Sequence, residues 1–338
     1  MRRASILAVL SVALLAPAVA QAAPKKGAPP PSCAGKDLLA GMKKSDPEGY
    51  AKVRAAADAV PNTKALLWRI EGKGAPTSYL FGTIHSTDAR VSKLPPAAAA
   101  AFAASSTVAL EILTSEAAQS KIEEILDAKG TFNSGDGLKD ILKPAELAAL
   151  RKSLAADGFP AEAAHMMRPW FAIFLLAMPS CEKKRTEAGL VALDQRIEQD
   201  AAAQGKRLVA LETLASQIEA MVAMPEAAQA SILKATVATL ALRDDALETL
   251  HRAYIARDLA TSVPLSKRLV ERAGHDPASM DVFERDINTK RNYGMRDASL
   301  PLLEKGGAFI AVGALHLLGK EGLVELFRAS GYTVTPAE

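Results

Sequence analysis

The stretch Ser78-Tyr-Leu-Phe-Gly-Thr-Ile-His85 decides how the chain is read. Tyr79, Leu80 and Phe81 form a short apolar β-type run, and a glycine and a histidine follow at once. Upstream, Ala65-Leu-Leu-Trp-Arg-Ile70 is a second such run. The intervening Glu-Gly-Lys-Gly-Ala-Pro-Thr is turn-rich, so the spacing predicts a β-hairpin. The strand-then-G-x-x-H pattern returns near the C-terminus as Ala311-Val-Gly-Ala-Leu-His316. A second duplication, Val-Ala-Leu-Glu, closes β-type runs at 108–111 and 209–212. A last β-type run covers Tyr332–Thr335.

Between these runs the apolar residues recur at helical spacing. Helices are expected over Ala97–Ala104, Glu116–Ala128, Pro144–Ala156, Ala161–Met178 and Leu190–Gln204, the last ended by Gly205. A long helical region reaches about Ala273, followed by helices over Asp281–Ser299 and Gly322–Ala329. Trp170–Met178 reads as a buried helix. Met166, Met167, Trp170 and Phe171, with Met221 and Met224, read as core packing. The fold class that follows is α/β (α+β): a small mixed sheet built from two pseudo-repeats, with a large helical insertion over about 116–207 that walls or covers the sheet.

Strand ends are where α/β folds present reactive groups. His85, Glu111, Glu212 and His316 each end an apolar run, so neighbouring strands would bring two imidazoles and two carboxylates together. That donor set suits Zn²⁺, Mn²⁺ or Co²⁺. Gly82 and Gly313 would let the backbone turn sharply or approach the site closely. Taken singly, each histidine is as easily structural; a Glu directly after three apolar residues is harder to dismiss, because burying it unpaired is costly. His165, His251 and His275 lie in polar or helical surroundings and are expected at the surface.

The termini and composition narrow the function. Arg2-Arg3, the apolar run Ile6–Leu15 and the small residues of Ala18-Val-Ala20 and Ala20-Gln-Ala22 predict a cleaved signal peptide over 1–22. A Pro-rich linker covers 23–32, and a single domain of 33–338 follows. Export would place the mature chain in the periplasm or outside the cell, with no stable membrane anchor. There Cys33 and Cys181 are expected to pair, the alternative being a reactive thiol. The net charge of +3, without a basic stripe, gives no reason to expect a nucleic-acid partner. An aromatic content of 5% argues against a stacked-ring carbohydrate surface. No nucleotide-binding loop is present.

The segments Leu67-Trp-Arg-Ile70, Ser78–His85, Val108–Glu111, Leu211-Glu-Thr-Leu-Ala-Ser-Gln217, Arg291-Asn292 and Val312-Gly-Ala-Leu-His-Leu-Leu-Gly319 together resemble the TraB/PrgY/GumN family. The resemblance runs in order from about Cys33 to the C-terminus. The family includes the Tiki proteins, metal-dependent proteases acting outside the cell that need G-x-x-H and Glu residues. The resemblance implies metal-ligand roles for His85, Glu111, Glu212 and His316, with one of Glu111 and Glu212 a ligand and the other the general base. It makes Gln217, Arg291 and Asn292 orienting or substrate-binding groups, with Arg291 a candidate holder of a carboxylate or oxyanion. Asp88 and Asp194 are weaker candidates, Asp194 being expected on a solvated helix face. The activity implied is a divalent-metal hydrolase acting on a peptide or small molecule. The competing readings are a non-catalytic ligand- or metal-binding protein of the same fold, and an inactive scaffold.

Overall fold

The six β-type runs come together as one mixed sheet in the computed structural model, which describes residues 32–114, 124–126, 128–132 and 137–338. The signal peptide expected over 1–22, nearly all of the expected linker, and residues 116–123 and 127 of the helix expected over Glu116–Ala128 lie outside the described residues.

The strands are β1 (Leu67–Glu71), β2 (Ser78–Thr83), β3 (Thr107–Leu110), β4 (Arg207–Ala210), β5 (Ala308–Gly313) and β6 (Thr333–Pro336). They lie in the order β4-β3-β5-β2-β1-β6. β1 and β2 form the expected antiparallel hairpin, with Trp68 opposite Leu80. β6 adds antiparallel to the outer side of β1. β2, β5, β3 and β4 run parallel to one another.

Strand parity divides the core. Trp68, Ile70, Leu80, Ala308, Ile310 and Val312 face Met295, Leu302, Leu303, Leu323 and Phe327 on one side. Leu67, Phe81, Val108, Phe309 and Ala311 face Ala98, Phe102, Leu193, Ile197 and Ala201 on the other. The central strand β5 is buried from Ala308 to Val312, as a parallel strand covered on both faces must be.

Two helical excursions leave the sheet, one between β3 and β4 and one between β4 and β5. Their distal parts build a separate core in which Leu150, Leu154, Met167, Trp170 and Phe171 pack with Ile218, Ile232 and Leu233. Thus most of the insertion is not a wall on the sheet but half of a helical body of its own. The Trp170 region packs there as expected. Two expected helices are broken. Pro169 cannot continue the run from Ala161, which becomes a 3₁₀ segment (Ala161–Met166) followed by a helix from Pro169 to Leu176. The helix expected over Asp281–Ser299 is a short helix, Ala278–Phe283, then a π-turn, Glu284–Thr289, then a helix, Lys290–Lys305.

At the N-terminal side, helices Leu38–Ser45 and Pro47–Asp58 precede the sheet. Cys33 and Cys181 are joined by a disulfide across 148 residues of sequence. Among the described residues, no helix is long and apolar enough to cross a membrane.

Candidate functional site

Four chain segments meet beyond the ends of the parallel strands. Glu111 directly follows β3, and Glu212 lies two residues beyond β4. The N–H of Glu212 donates to the Glu111 carbonyl at 2.8 Å, continuing the ladder past the strand ends. Gly313 ends β5, and Ala314–Leu317 coils into a 3₁₀ turn that carries His316. His85 lies two residues after β2. The π-turn then feeds the helix Lys290–Lys305, placing Arg291 and Asn292 over the same region.

Arg291 joins the carboxylates. Its Nη2 donates to Glu111 Oε2 at 2.7 Å and Glu212 Oε2 at 2.6 Å. Its Nε reaches Glu212 at 3.0 and 3.2 Å, and its Nη1 donates to the Ile287 carbonyl in the π-turn at 3.0 Å. Gln217 lies on the helix Leu214–Val222, capped by Thr213 through a reciprocal bond with Ser216. Its amide donates to Glu111 at 3.2 Å and Glu212 at 3.4 Å. Burial disfavours the Arg291 cation, but the two carboxylates outweigh it and raise its pKa.

The other Glu111 oxygen faces a small hollow. Oε1 accepts the Gly313 N–H at 2.6 Å and lies 3.7 Å from His316 Nε2. A Cβ at Gly313 would stand 3.1 Å from Glu111 Oε1, 3.5 Å from His316 Cδ2 and 3.9 Å from His85 Nε2. The φ of Gly313 is −50°, which any residue can adopt, so this glycine is needed for space and not for its backbone angle.

Each imidazole is held from behind. His316 Nδ1 is 2.6 Å from Asn292 Oδ1, and Asn292 donates to the Glu321 carbonyl at 2.8 Å. His85 Nδ1 is 2.8 Å from Asp194 Oδ2, and Asp194 also accepts the Thr83 hydroxyl. Both partners are acceptors, so each Nδ1 carries a proton, with His85 Nε2 turned toward Gly313 and His316 Nε2 toward Glu111 Oε1. The ring environments differ. His316 is buried, and burial pushes its pKa down to about 4. The His85 side chain keeps 67% of its surface open to solvent, yet Asp194 pulls its pKa up to about 9 against the opposing effect of desolvation. Burial works against the Glu111 carboxylate, but His316, His85, Arg291 and the Gly313 N–H hold its pKa low. With His316 neutral, the lasting attraction comes from Arg291, the Gly313 N–H and His85. Burial likewise opposes ionisation of Asp194, and His85 and Thr83 overcome it.

Residues 66–336 match the profile of the TraB/PrgY/gumN family. This chain belongs to that family. No curated protein and no solved structure matches it significantly. The TraB/PrgY/gumN region spans all six strands and every residue of the cluster just described. It includes Cys181 but not Cys33.

Within this TraB/PrgY/gumN domain, all seven residues singled out from the sequence meet: His85, Glu111, Glu212, Gln217, Arg291, Asn292 and His316. Two expectations need correction. Asp194 is not on a solvated face; its carboxylate is 20% exposed and holds His85. His251 is not a surface residue; it is 1% exposed and bonded to Ser86. Thr83, at the end of β2, was missed, and its only local signal is its place inside the G-x-x-H motif. Among the described residues, no three His, Cys, Asp or Glu side chains are gathered into a ready metal cluster. The four Arg291 and Gln217 contacts on Glu212 turn it away from that role. The donor chemistry at the Gly313 hollow nonetheless fits a divalent cation: two imidazole nitrogens and one carboxylate oxygen, with both rings oriented by hydrogen bonds at the opposite nitrogen, the usual support for metal-binding histidines.

Proposed function

We propose that this TraB/PrgY/gumN protein is an extracytoplasmic, divalent-cation-dependent hydrolase whose substrate is a peptide or a related small acyl compound. One observation carries the reading. His85 and His316 are each oriented through Nδ1 by an acceptor, His85 Nε2 and Glu111 Oε1 both border the space beside Gly313, and His316 Nε2 stands 3.7 Å from that same oxygen. The Cys33–Cys181 disulfide supports an oxidising compartment.

His85, His316 and Glu111 would hold the cation, Mn²⁺, Co²⁺ or Zn²⁺. Bound there it would supply a water of lowered pKa and polarise the substrate carbonyl. Asp194 and Asn292 hold Nδ1 of each ring, which leaves Nε2 as the ligating nitrogen; His85, whose pKa is raised to about 9, would give up its Nε2 proton to ligate. Glu111 is the carboxylate with an oxygen directed at that space, so it would be the carboxylate ligand of the cation, its second oxygen being held by Arg291 and Gln217. Glu212, saturated by Arg291 and Gln217, is assigned neither ligand nor base. It anchors Arg291, which in turn fixes Glu111. His85, the most solvent-open member, marks the side from which substrate enters.

The test is metal content and turnover on the same sample. Residues 33–338, loaded with Zn²⁺, Co²⁺ or Mn²⁺, should retain about one equivalent and cleave members of a peptide library read by mass spectrometry. His316→Ala and Glu111→Gln should each lose the metal and, with it, turnover. Binding without turnover would favour a metal- or ligand-binding protein. Retention of no metal by the wild type would remove the reading altogether.

A further inference from the structure

Behind His85 lies a buried polar cluster that the proposed chemistry does not use. The Ser86 N–H donates to the Ile84 carbonyl at 2.8 Å, closing a three-residue γ-turn with His85 at its apex. His85 is not among the residues with positive φ, so this is the unstrained, inverse form. The direction of the His85 ring therefore depends on what fixes the two residues after it.

Glu182 fixes them. It lies on the helix Ser180–Glu187 and is 4% exposed. Its Oε2 accepts the Thr87 N–H and the Thr87 hydroxyl, both at 2.8 Å. Its Oε1 accepts the Ser86 hydroxyl at 3.2 Å. The nearby Arg185 stands 3.6 Å away, beyond a good hydrogen bond, and donates instead to the Thr87 carbonyl at 3.4 Å. A buried carboxylate lacking a tightly bonded cation is an expensive anchor. Among the described residues, all three of the hydrogen bonds its carboxylate accepts come from the pair Ser86–Thr87.

The surroundings set the direction of every proton in this cluster. Arg90 Nη2 approaches His251 Nδ1 at 3.3 Å, so Nδ1 is the acceptor and Nε2 carries the hydrogen. His251 Nε2 then donates to Ser86 Oγ at 2.7 Å, which leaves the Ser86 hydroxyl hydrogen for Glu182. The frame that holds these groups is covalently tied. Cys181, beside Glu182, is bonded to Cys33, and the arm after Cys33 donates from the Lys36 and Leu38 N–H groups to Asp245 and Thr249 on the helix that bears His251.

We propose that Glu182 is a positioning residue for His85: by holding Ser86 and Thr87 it fixes the γ-turn that aims the His85 ring at the Gly313 hollow. One arm of its test rests on the cation-site reading, and the other does not. Glu182→Gln keeps the side-chain size but sets an amide NH₂ against the Thr87 and Ser86 donors. The first measurement is long-range ¹H–¹⁵N NMR of the histidine rings in the metal-free chain. The signature of the His85–Asp194 contact should be lost or shifted in Glu182→Gln, while that of His316–Asn292 stays in place. The second is a Zn²⁺ titration against a competing chelator, where affinity should fall by about tenfold, as for other groups that orient a metal ligand. Thr87→Val removes one of the bonds to Glu182 without touching the carboxylate. It should move both readouts the same way by a smaller amount, and it decides the matter if Glu182→Gln does not fold. Unchanged His85 ring signals in the folded variants, or equal changes at His85 and His316, would overturn the proposal. If the wild type binds no Zn²⁺, the cation-site reading fails, and the ring signals alone decide the role of Glu182.

Discussion

Arg291 holds apart two carboxylates that would otherwise face each other. Arg291→Met keeps much of the apolar stem and removes the guanidinium. Arg291 Nη2 touches Glu111 Oε2 at 2.7 Å and Glu212 Oε2 at 2.6 Å, and the two side chains are only 8% and 10% exposed. The two oxygens therefore lie within about 5 Å, where like unit charges repel by about 3 kcal/mol at an effective dielectric of about 20. Loss of the charge-assisted bonds adds to this, and stripping one partner from a buried ion pair costs about 3–5 kcal/mol in all. At about 2 °C per kcal/mol for a chain of this size, Tm should fall by about 6–10 °C. The assay is thermal and urea unfolding, in EDTA, of the wild type, Arg291→Met, Glu212→Gln and the double variant. Glu212→Gln should restore at least about half of the loss when added to Arg291→Met, because it removes one of the two facing charges. A loss below about 1 kcal/mol for Arg291→Met, or a double variant no more stable than Arg291→Met, would show that the three side chains do not form the ion triad on which the site is built.

Gly313→Ala should leave the fold nearly unchanged, since its φ of −50° suits alanine. The new methyl would press on Glu111 Oε1 at 3.1 Å, so Zn²⁺ affinity should drop by at least about tenfold; a melt and a titration on one sample check both halves. The charged groups around His251, behind His85, also report on acid. Hydrogen bonds from Arg90 hold the pKa of Asp88 and of Glu248 down to about 2. A depressed folded-state value gives stability that is complete above the unfolded values near 4 and is lost as pH falls toward 2. Allowing for solvent screening, the pair contributes about 2 kcal/mol, and Glu248→Gln should flatten the urea-unfolding profile between about pH 4.5 and 2.5. An identical slope in the variant would remove the assignment. Opening the disulfide in a Cys33→Ser/Cys181→Ser variant releases a closed loop of 148 residues. It should lower stability by about 2–5 kcal/mol, and added reductant should bring the wild type to the same Tm.

The sheet was legible because its strands are short apolar runs bounded by glycine-rich turns, and a fully covered parallel strand such as Ala308–Val312 has no other use for five consecutive apolar residues. The seven site residues were legible because they stand at strand ends or inside the family's motifs. Asp194 was not, because its role depends on the helix Leu193–Ala203 packing on β3 and β4 so that its first turn reaches Thr83 and His85, a contact that no local pattern encodes. His251 misled for the same reason: its own helix, Arg243–Ile255, mixes charged and apolar residues around it, and the approach of Ser86 and Arg90 from other segments is what makes its position an interior one. Helix breaks were half legible. Pro169 announces its own break, whereas the π-turn at Glu284–Thr289 has no residue signature and is stabilised by the reach of Arg291 to the Ile287 carbonyl.

The duplicated motifs are not placed as equals, and the difference explains how they meet. Gly82 pairs with Val312 and Thr83 with Gly313, so the second G-x-x-H sits one residue further along the sheet than the first. Val-Ala-Leu-Glu shows the same stagger, with Ala109 opposite Val209. An extended chain advances about 3.3 Å per residue and a 3₁₀ turn about 2 Å. From the level of Gly82, three residues at extended rise reach at most about 10 Å, and His85, at the apex of the γ-turn, lies within that reach. The second copy begins one step later, but its 3₁₀ turn over Ala314–Leu317 brings His316 to about 9 Å. The shorter rise offsets the stagger, and two histidines from offset repeats both come to border Gly313, with His316 Cδ2 3.5 Å and His85 Nε2 3.9 Å from where its Cβ would stand. The carboxylates have no such turn to compensate them. Glu212 stays one residue beyond Glu111, too far to share the hollow, and Arg291 spans the difference. A pair of identical motifs on neighbouring parallel strands thus gives two ligand-like histidines but only one ligand-like glutamate. Inserting one residue after Gly313 should separate the histidines by one step and abolish Zn²⁺ binding, while the β2–β5 register, read by backbone NMR, stays intact. Retained binding in that variant would mean that the shared position of His85 and His316 beside Gly313 is not what forms the site.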